Sequence, residues 1–232
     1  MSGSFSLSIV LPVYNEQDNI ERVIIGAVAY LKRQDIFTDY EIIAVNDGSS
    51  DKTAEVLKKL ALQLDNLIMV THERNLGYGT AMMSGILKAK YDWLLLMDAD
   101  GQFKIDSIGE MIGALAGYDI ITGYRLRRVD SLYRVFLGKA YTAIACWLFG
   151  LNLKDINCGF KLMKREGLDI KRTVCHAGAF YTEIFKNAKA KGYKVKEVPV
   201  AHYPRKSGDQ TGAKPQVIVK SLIDLFRLKF GG

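Results

Sequence analysis

Short apolar runs alternate with longer amphipathic stretches through the first half of this chain. Positions 6–11, 40–45, 67–70, 93–97 and 119–122 are runs of four to six mostly apolar residues, the length and composition of buried strands. Between them, 19–32, about 54–64, 80–90 and 105–116 repeat apolar residues at helical spacing. The second of these puts Ala54, Leu57, Leu60, Ala61 and Leu64 on one face, with Asp51 placed to cap it. Strands separated by helices of this length predict βαβ units. The expected class is therefore α/β, Rossmann-like, with a mainly parallel central sheet flanked by helices. After Gly123 the rhythm changes. Residues 131–150 form a long helical stretch that mixes Tyr133, Phe136, Trp147 and Phe149 with Arg134 and Lys139. No element is assigned to 154–165. A helix near 182–191 leads to a strand near 193–200, a polar loop at 202–212 and an amphipathic C-terminal helix at 215–230. One domain over residues 1–232 is the simplest division.

The stretch 93–102, W-L-L-L-M-D-A-D-G-Q, carries the first chemistry. Asp98 and Asp100 follow an apolar strand, at the end where open α/β sheets place their ligands, and two positions apart on an extended backbone they face the same way. Two carboxylates so placed repel each other unless a cation joins them, and hard oxygen ligands suit Mg²⁺ or Mn²⁺. The plainer reading is a surface turn capping the next helix. The loops after the first and second strands add Tyr14, Glu16 and Asp47, which a doubly wound sheet would bring to the same edge. No G-x-G-x-x-G follows the first strand and no P-loop motif occurs. A cleft with four carboxylates instead suits a nucleotide whose ribose is held by acids and whose diphosphate is bridged by metal.

Charge sharpens this picture. The net charge is +7, yet residues 1–150 hold 15 Lys and Arg against 18 Asp and Glu, while residues 151–232 hold 17 against 7. The excess positive charge in the last third points to an anionic partner: a phosphate-bearing substrate, a membrane surface or a nucleic acid. Aromatic residues do not interleave with the basic ones in an RNA-reading pattern, so nucleic acid is set aside. Cys146, Cys158 and Cys175 have no metal-like or disulfide spacing, and His72, His176 and His202 are scattered. The first residues lack the features of a signal peptide, and no run reaches the ~18–20 apolar residues of a membrane span. The expectation is a cytoplasmic chain, peripheral at the cytoplasmic face of a membrane, with 131–150 and 215–230 as interface helices or as ordinary core helices.

Taken together in order and spacing, P-V-Y-N-E, N-D-G-S-S-D, N-L-G-Y-G and D-A-D-G-Q resemble family 2 glycosyltransferases of the GT-A fold. D-I-N-C-G-F-K-L-M-K-R and Y-P-R-K-S-G further resemble the subgroup that makes dolichyl- or polyprenyl-phosphate mannose or glucose. The resemblance covers roughly residues 6–212 and divides the domain into a nucleotide-sugar-binding half, 1–123, and an acceptor-binding half, 124–232. It implies that Pro12, Tyr14, Glu16 and Asp47 hold the donor's base and ribose. Asp98 and Asp100 then match the metal-binding D-x-D, with Gln102 as a further ligand or orienting amide, and Arg125 and Arg205 grip the donor diphosphate or the acceptor phosphate. Asn46 departs from the usual pair of aspartates before G-S.

The implied reaction moves a hexose, of the GDP-mannose or UDP-glucose type, to a polyprenyl or dolichyl phosphate with inversion. A phosphate monoester is already anionic and needs no general base. A hydroxyl acceptor would need one, and Asp155, then Glu183, are the candidates; the plainer role for Asp155 is a loop cap or an arginine's partner. Many relatives carry membrane helices after this domain, which makes a separate membrane-anchoring subunit a conceivable partner here. A non-catalytic nucleotide-sugar-binding protein is the competing class, opposed by the intact Asp98, Asp100, Arg125 and Arg205. A nucleotidyltransferase is opposed by the missing glycine-rich, arginine-bearing loop.

Overall fold

The computed structural model describes residues 5–126, 128–166, 168, 173, 178–205, 207–208 and 215–230. His176 and Cys175, considered above, lie outside the described residues. In chain order the elements are β1 (Phe5–Val13), α1 (Ile20–Leu31), β2 (Phe37–Asp47), α2 (Thr53–Ala61), β3 (Leu67–His72), α3 (Tyr78–Lys88), β4 (Trp93–Met97), α4 (Ile108–Gly113), β5 (Ile120–Arg125), α5 (Leu132–Phe149), β6 (Phe160–Lys164), α6 (Phe180–Ala190), β7 (Val195–Val200) and α7 (Pro215–Phe230). One sheet takes all the strands in the order β3-β2-β1-β4-β6-β5-β7. β1 pairs in parallel with β2 and with β4, so successive strands run outward on one side of β1 and the order reverses between β1 and β4. That reversal is the topological switch point, and a crevice opens beyond the carboxyl ends of these two strands.

Alternation along the strands builds a core on each face of the sheet. Ile9 and Leu11 of β1, Ile42 and Ala44 of β2, and Leu95 of β4 pack against α1, α2 and α4 through Ile24, Leu57 and Met111. Val10, Ile43, Leu94 and Leu96 face the other way, onto Met82 of α3, Ala145 of α5, Phe180 and Phe185 of α6, and Leu225 of α7. Asp51 accepts a bond from the Thr53 amide at the start of α2, as its position suggested.

Two elements differ from expectation. The helix expected over 105–116 is a 3-10 turn, Ile105–Ser107, running into a short α4 that ends at Gly113; the chain then turns through Gly117 at a positive φ of 82°. The second difference is β6, to which no element was assigned. It enters the sheet between β4 and β5, antiparallel to both. Its second residue, Lys161, is completely buried. A lysine inside an apolar run reads as a loop in sequence, because the groups that accept the ammonium come from elsewhere in the fold.

Candidate active site

At the end of β4 the Asp98 amide donates to the Gly159 carbonyl at 3.1 Å, which fixes the backbone just before β6 against the first aspartate. Gly159 is required here for close approach: a Cβ on it would lie 1.8 Å from Asp98 Oδ2. Asp98 Oδ1 accepts from the Tyr78 hydroxyl at 2.8 Å, and Tyr78 and Tyr181 share a hydroxyl contact of 2.7 Å. Asp100 Oδ1 accepts from the Gln102 amide at 2.9 Å, so one oxygen does the turn-capping work that the plainer reading foresaw. Its Oδ2 faces Arg205 Nη1 at 3.5 Å.

A polar strap that includes residues 202–205 and 207–208 crosses this edge. The Tyr203 amide donates to the Gln102 carbonyl at 2.9 Å, and Gln102 Nε2 returns a bond to the Tyr203 carbonyl at 3.1 Å. Arg205 forms an ion pair with Glu16 through Nη2 and donates from Nε to the Ser207 carbonyl at 2.7 Å. Asn19 donates to both Glu16 Oε2 and the Ser207 carbonyl, at 2.7 and 3.1 Å. Residues 16, 100 and 205, far apart in sequence, therefore meet. Tyr14 stands exposed at the end of β1, and Pro12 is part of that strand. Asp47 is buried and has three contacts: it accepts from the Leu76 and Gly77 amides at 2.9 and 2.8 Å, and meets His72 at 2.7 Å, whose other nitrogen meets Ser84 at 2.9 Å. Its carboxylate thus shapes the loop before α3.

Electrostatics separate two neighbourhoods. Burial first, and Asp100 second, push the Asp98 carboxyl up to about 7. Burial also raises Asp100 and Glu16, although Arg205 stands beside both. Three acids gathered in a water-poor place with one directly paired guanidinium favour a further cation. Among the described residues no group of three His, Cys, Asp or Glu side chains forms a ready-made metal cage. Two carboxylates on a shelf, with substrate phosphate and water to complete the shell, are what Mg²⁺ or Mn²⁺ sites of this type use, so the residues fit such a cation.

The second neighbourhood is basic. Arg125, at the end of β5, donates twice to Asp155, Nε and Nη2 each at 2.7 Å. Burial opposes the charge on Asp155, but Arg125 outweighs it and holds the carboxyl below its ordinary range. Arg128 pairs with Asp130 at 3.0 Å and Arg134 approaches the same carboxylate at 3.6 Å. Buried His202, packed edge-on against Phe103, is pushed down to about 4, chiefly by burial and then by Arg125. Glu183 is buried in the first turn of α6.

Sequence reasoning missed several of these residues. Tyr78 lies inside N-L-G-Y-G and Gly159 and Lys161 inside C-G-F-K, so the motifs were seen but their hydrogen bonds were not. Tyr181, Asn19 and Asp130 carry no sequence signal; their roles exist only once α6, α1 and the loop after β5 are placed.

Solved structures share this arrangement across nearly the whole chain. Glucosyl-3-phosphoglycerate synthase from Mycobacterium tuberculosis, in complex with Mn²⁺, uridine diphosphate and glucosyl-3-phosphoglycerate, aligns with a TM-score of 0.71 at 17% identity, covering 98% of this chain and 80% of that one. A mannosyltransferase from Pyrobaculum calidifontis in complex with GDP-Man and Mn²⁺ aligns with a TM-score of 0.68 at 19% identity, covering 97% and 65%. The fold is thus the GT-A fold of nucleotide-sugar enzymes. The Glycosyl transferase family 2 model matches residues 8–187, and the chain belongs to that family. Similar relatives include the undecaprenyl-phosphate 4-deoxy-4-formamido-L-arabinose transferases of Photorhabdus laumondii, 32% identical over 88% of this chain, and of Pseudomonas fluorescens, 30% identical over 94%. The chain spans 62% and 63% of the length of those two relatives.

Proposed function

We propose that this glycosyltransferase moves a sugar from a nucleotide sugar to a polyprenyl phosphate, with inversion, using Mg²⁺ or Mn²⁺. The observation that carries the reading is the pair Asp98 and Asp100, half-buried together at the switch point with their carboxyls pushed up. Asp98 and Asp100 would hold the cation, which when bound neutralises charge developing on the departing nucleoside diphosphate. Tyr14, Glu16 and the Asp47-shaped loop would flank the donor's nucleoside. Gln102 would hold the polar strap in register with Asp100, and Arg205 would exchange part of its pairing with Glu16 and Asp100 for diphosphate oxygens.

In the proposed step an acceptor phosphate oxygen forms a bond to the anomeric carbon while the bond from that carbon to the nucleoside diphosphate breaks, the electron pair leaving with the diphosphate. No proton need be removed from a phosphate that is already anionic. The Arg125 pairing favours this acceptor over a hydroxyl, since Asp155 with two lone-pair sites committed to a guanidinium is a weak base. Relatives named for undecaprenyl phosphate support the same acceptor class. Their named sugar, 4-deoxy-4-formamido-L-arabinose, joins the hexoses as a donor to be tried.

A membrane surface is the proposed source of the lipid acceptor. No helix among the described residues is long and apolar enough to cross a membrane. Leu132, Tyr133, Phe136 and Trp147 on α5 are nevertheless exposed, as are Val219, Ile223, Phe226 and Phe230 on α7, beside the exposed Lys139, Lys220, Arg227 and Lys229. Apolar stripes edged with cations match interfacial helices.

The direct test incubates the protein with UDP- and GDP-linked hexoses and 4-deoxy-4-formamido-L-arabinose, short polyprenyl phosphates and Mn²⁺. The expected result is nucleoside diphosphate release matched by a lipid-linked sugar phosphate. Release of pyrophosphate, or turnover only with hydroxyl acceptors, would contradict it.

A further inference from the structure

Asp98 is held from behind by a column of side chains drawn from three separate elements. Tyr78 belongs to the first turn of α3, Tyr181 to the first turn of α6, and Lys161 to the start of β6. The Tyr78 hydroxyl donates to Asp98 Oδ1 at 2.8 Å, so at the 2.7 Å contact between the two phenols it is Tyr181 that donates and Tyr78 that accepts. The two rings meet edge to face, with centroids 5.9 Å apart. Lys161 Nζ lies 3.8 Å from the centroid of the Tyr181 ring and also donates to the Cys158 carbonyl. Lys161 is fully buried and Tyr181 nearly so, whereas Tyr78 is 36% exposed overall with its hydroxyl turned inward.

Each link has a physical consequence. A buried ammonium over a phenol face is attracted to the ring and strengthens that phenol as a donor. Donors in series polarise one another, so the last O–H in the line, that of Tyr78, is a stronger partner for the carboxylate than an isolated phenol. On the opposite side Gly159 leaves room for Oδ2, since a Cβ there would collide with the carboxylate in its present orientation. Asp98 is therefore clamped between a hydrogen-bond donor and a backbone wall, with its direction fixed by residues that need not touch the substrate.

We propose that Tyr78 is a positioning residue for the cation site: its hydroxyl, oriented by Tyr181 above Lys161, fixes Asp98 for divalent-metal binding. The inference rests on the reading of Asp98 as a metal ligand and assigns the outer support of that ligand. Outer partners of metal-binding carboxylates are worth about 10–100-fold in metal affinity when removed. Tyr181 acts only through Tyr78, so its loss should have no effect once Tyr78 has lost its hydroxyl.

The test follows the free Mn²⁺ signal by electron paramagnetic resonance as the ion is titrated into the full chain with saturating UDP, and in parallel with GDP. Wild type is compared with D98N, Y78F, Y181F and the Y78F/Y181F double variant, each checked for an unchanged near-ultraviolet circular dichroism spectrum. Y78F should weaken Mn²⁺ binding by about 10–100-fold, Y181F should weaken it less, and the double variant should match Y78F alone. Wild-type affinity in Y78F would overturn the proposal, as would losses in Y78F and Y181F that multiply in the double variant. Equal Mn²⁺ binding by wild type and D98N would remove Asp98 from the metal site, and with it both this inference and the reading it rests on.

Discussion

A carboxylate that accepts two bonds from one guanidinium has little capacity left for a proton, and Arg125 holds Asp155 in that state. Removing one member of a buried pair leaves the other charge uncompensated, so Asp155→Asn should cost roughly 3 kcal/mol. In a chain of this size that lowers Tm by about 6–12 °C. The pair also sets a pH dependence whose sign is fixed. Asp155 titrates lower in the folded chain than in the unfolded one, so its contribution is present above the ordinary aspartate pKa and is lost as pH falls through the depressed folded value. Thermal melts from pH 6 downward should show this acid sensitivity in the wild type and less of it in D155N. The kcat profile against pH should keep its shape in D155N; loss of an acidic limb there would instead mark Asp155 as a proton acceptor. At this scale the sequence was half legible. D-A-D-G-Q displayed its acids because they follow an apolar strand, but the partners of those acids, Tyr78, Tyr181 and Arg205, arrive from residues up to 105 positions away. Spacing along the chain carries no trace of such meetings.

Among the elements, those with clean periodicity were legible and those with a conflict between local composition and final environment were not. α7 was expected over 215–230 and spans Pro215–Phe230. β6 was missed because Lys161 interrupts its apolar run, and a strand inside the sheet tolerates that ammonium only where Cys158's carbonyl and the Tyr181 ring accept it. The amphipathic pattern of α7 was legible for its buried side, Leu222 and Leu225, but it bears a second apolar stripe. Val219, Ile223, Phe226 and Phe230 recur at helical spacing and are exposed. A helix with one apolar side on the core and another in the open has an interface left to fill. If a bilayer fills it, the protein should sediment with liposomes containing anionic lipid at low salt, and sedimentation should weaken as salt rises. Phe226→Ser with Phe230→Ser should reduce that binding at least several-fold while leaving the fold's melting behaviour near that of wild type, since neither side chain belongs to the core. Failure of the wild type to sediment at any salt would contradict membrane docking by this surface.

Across the whole molecule, the acids come from strand ends near the switch point and the cations from the second half of the chain. β1 and β4 deliver Glu16, Asp98 and Asp100 to one edge; the strap after β7 brings Arg205 onto Glu16 and Asp100, and β5 ends in Arg125, paired with Asp155. For Arg205 this division was legible as a charge asymmetry, −3 for the first 150 residues and +10 for the rest; Arg125 lies within the acidic part. It was not legible that the strap brings Arg205 onto Glu16 and Asp100, because loop closure across the sheet edge depends on Gln102 and Asn19 as anchors. Sugar transfer by this site, as proposed, depends on a cation held by Asp98 and Asp100 while the sugar leaves its nucleoside diphosphate. The most direct measurement is transfer of labelled sugar to polyprenyl phosphate by wild type, D98N and D100N, each with Mn²⁺ and with a chelator. The expectation is transfer only by the wild type with Mn²⁺, with both variants folded and about 10²–10³-fold slower, as when a main charge-stabilising contact is lost. Wild-type transfer undiminished by the chelator, or near-normal transfer by either variant, would contradict it.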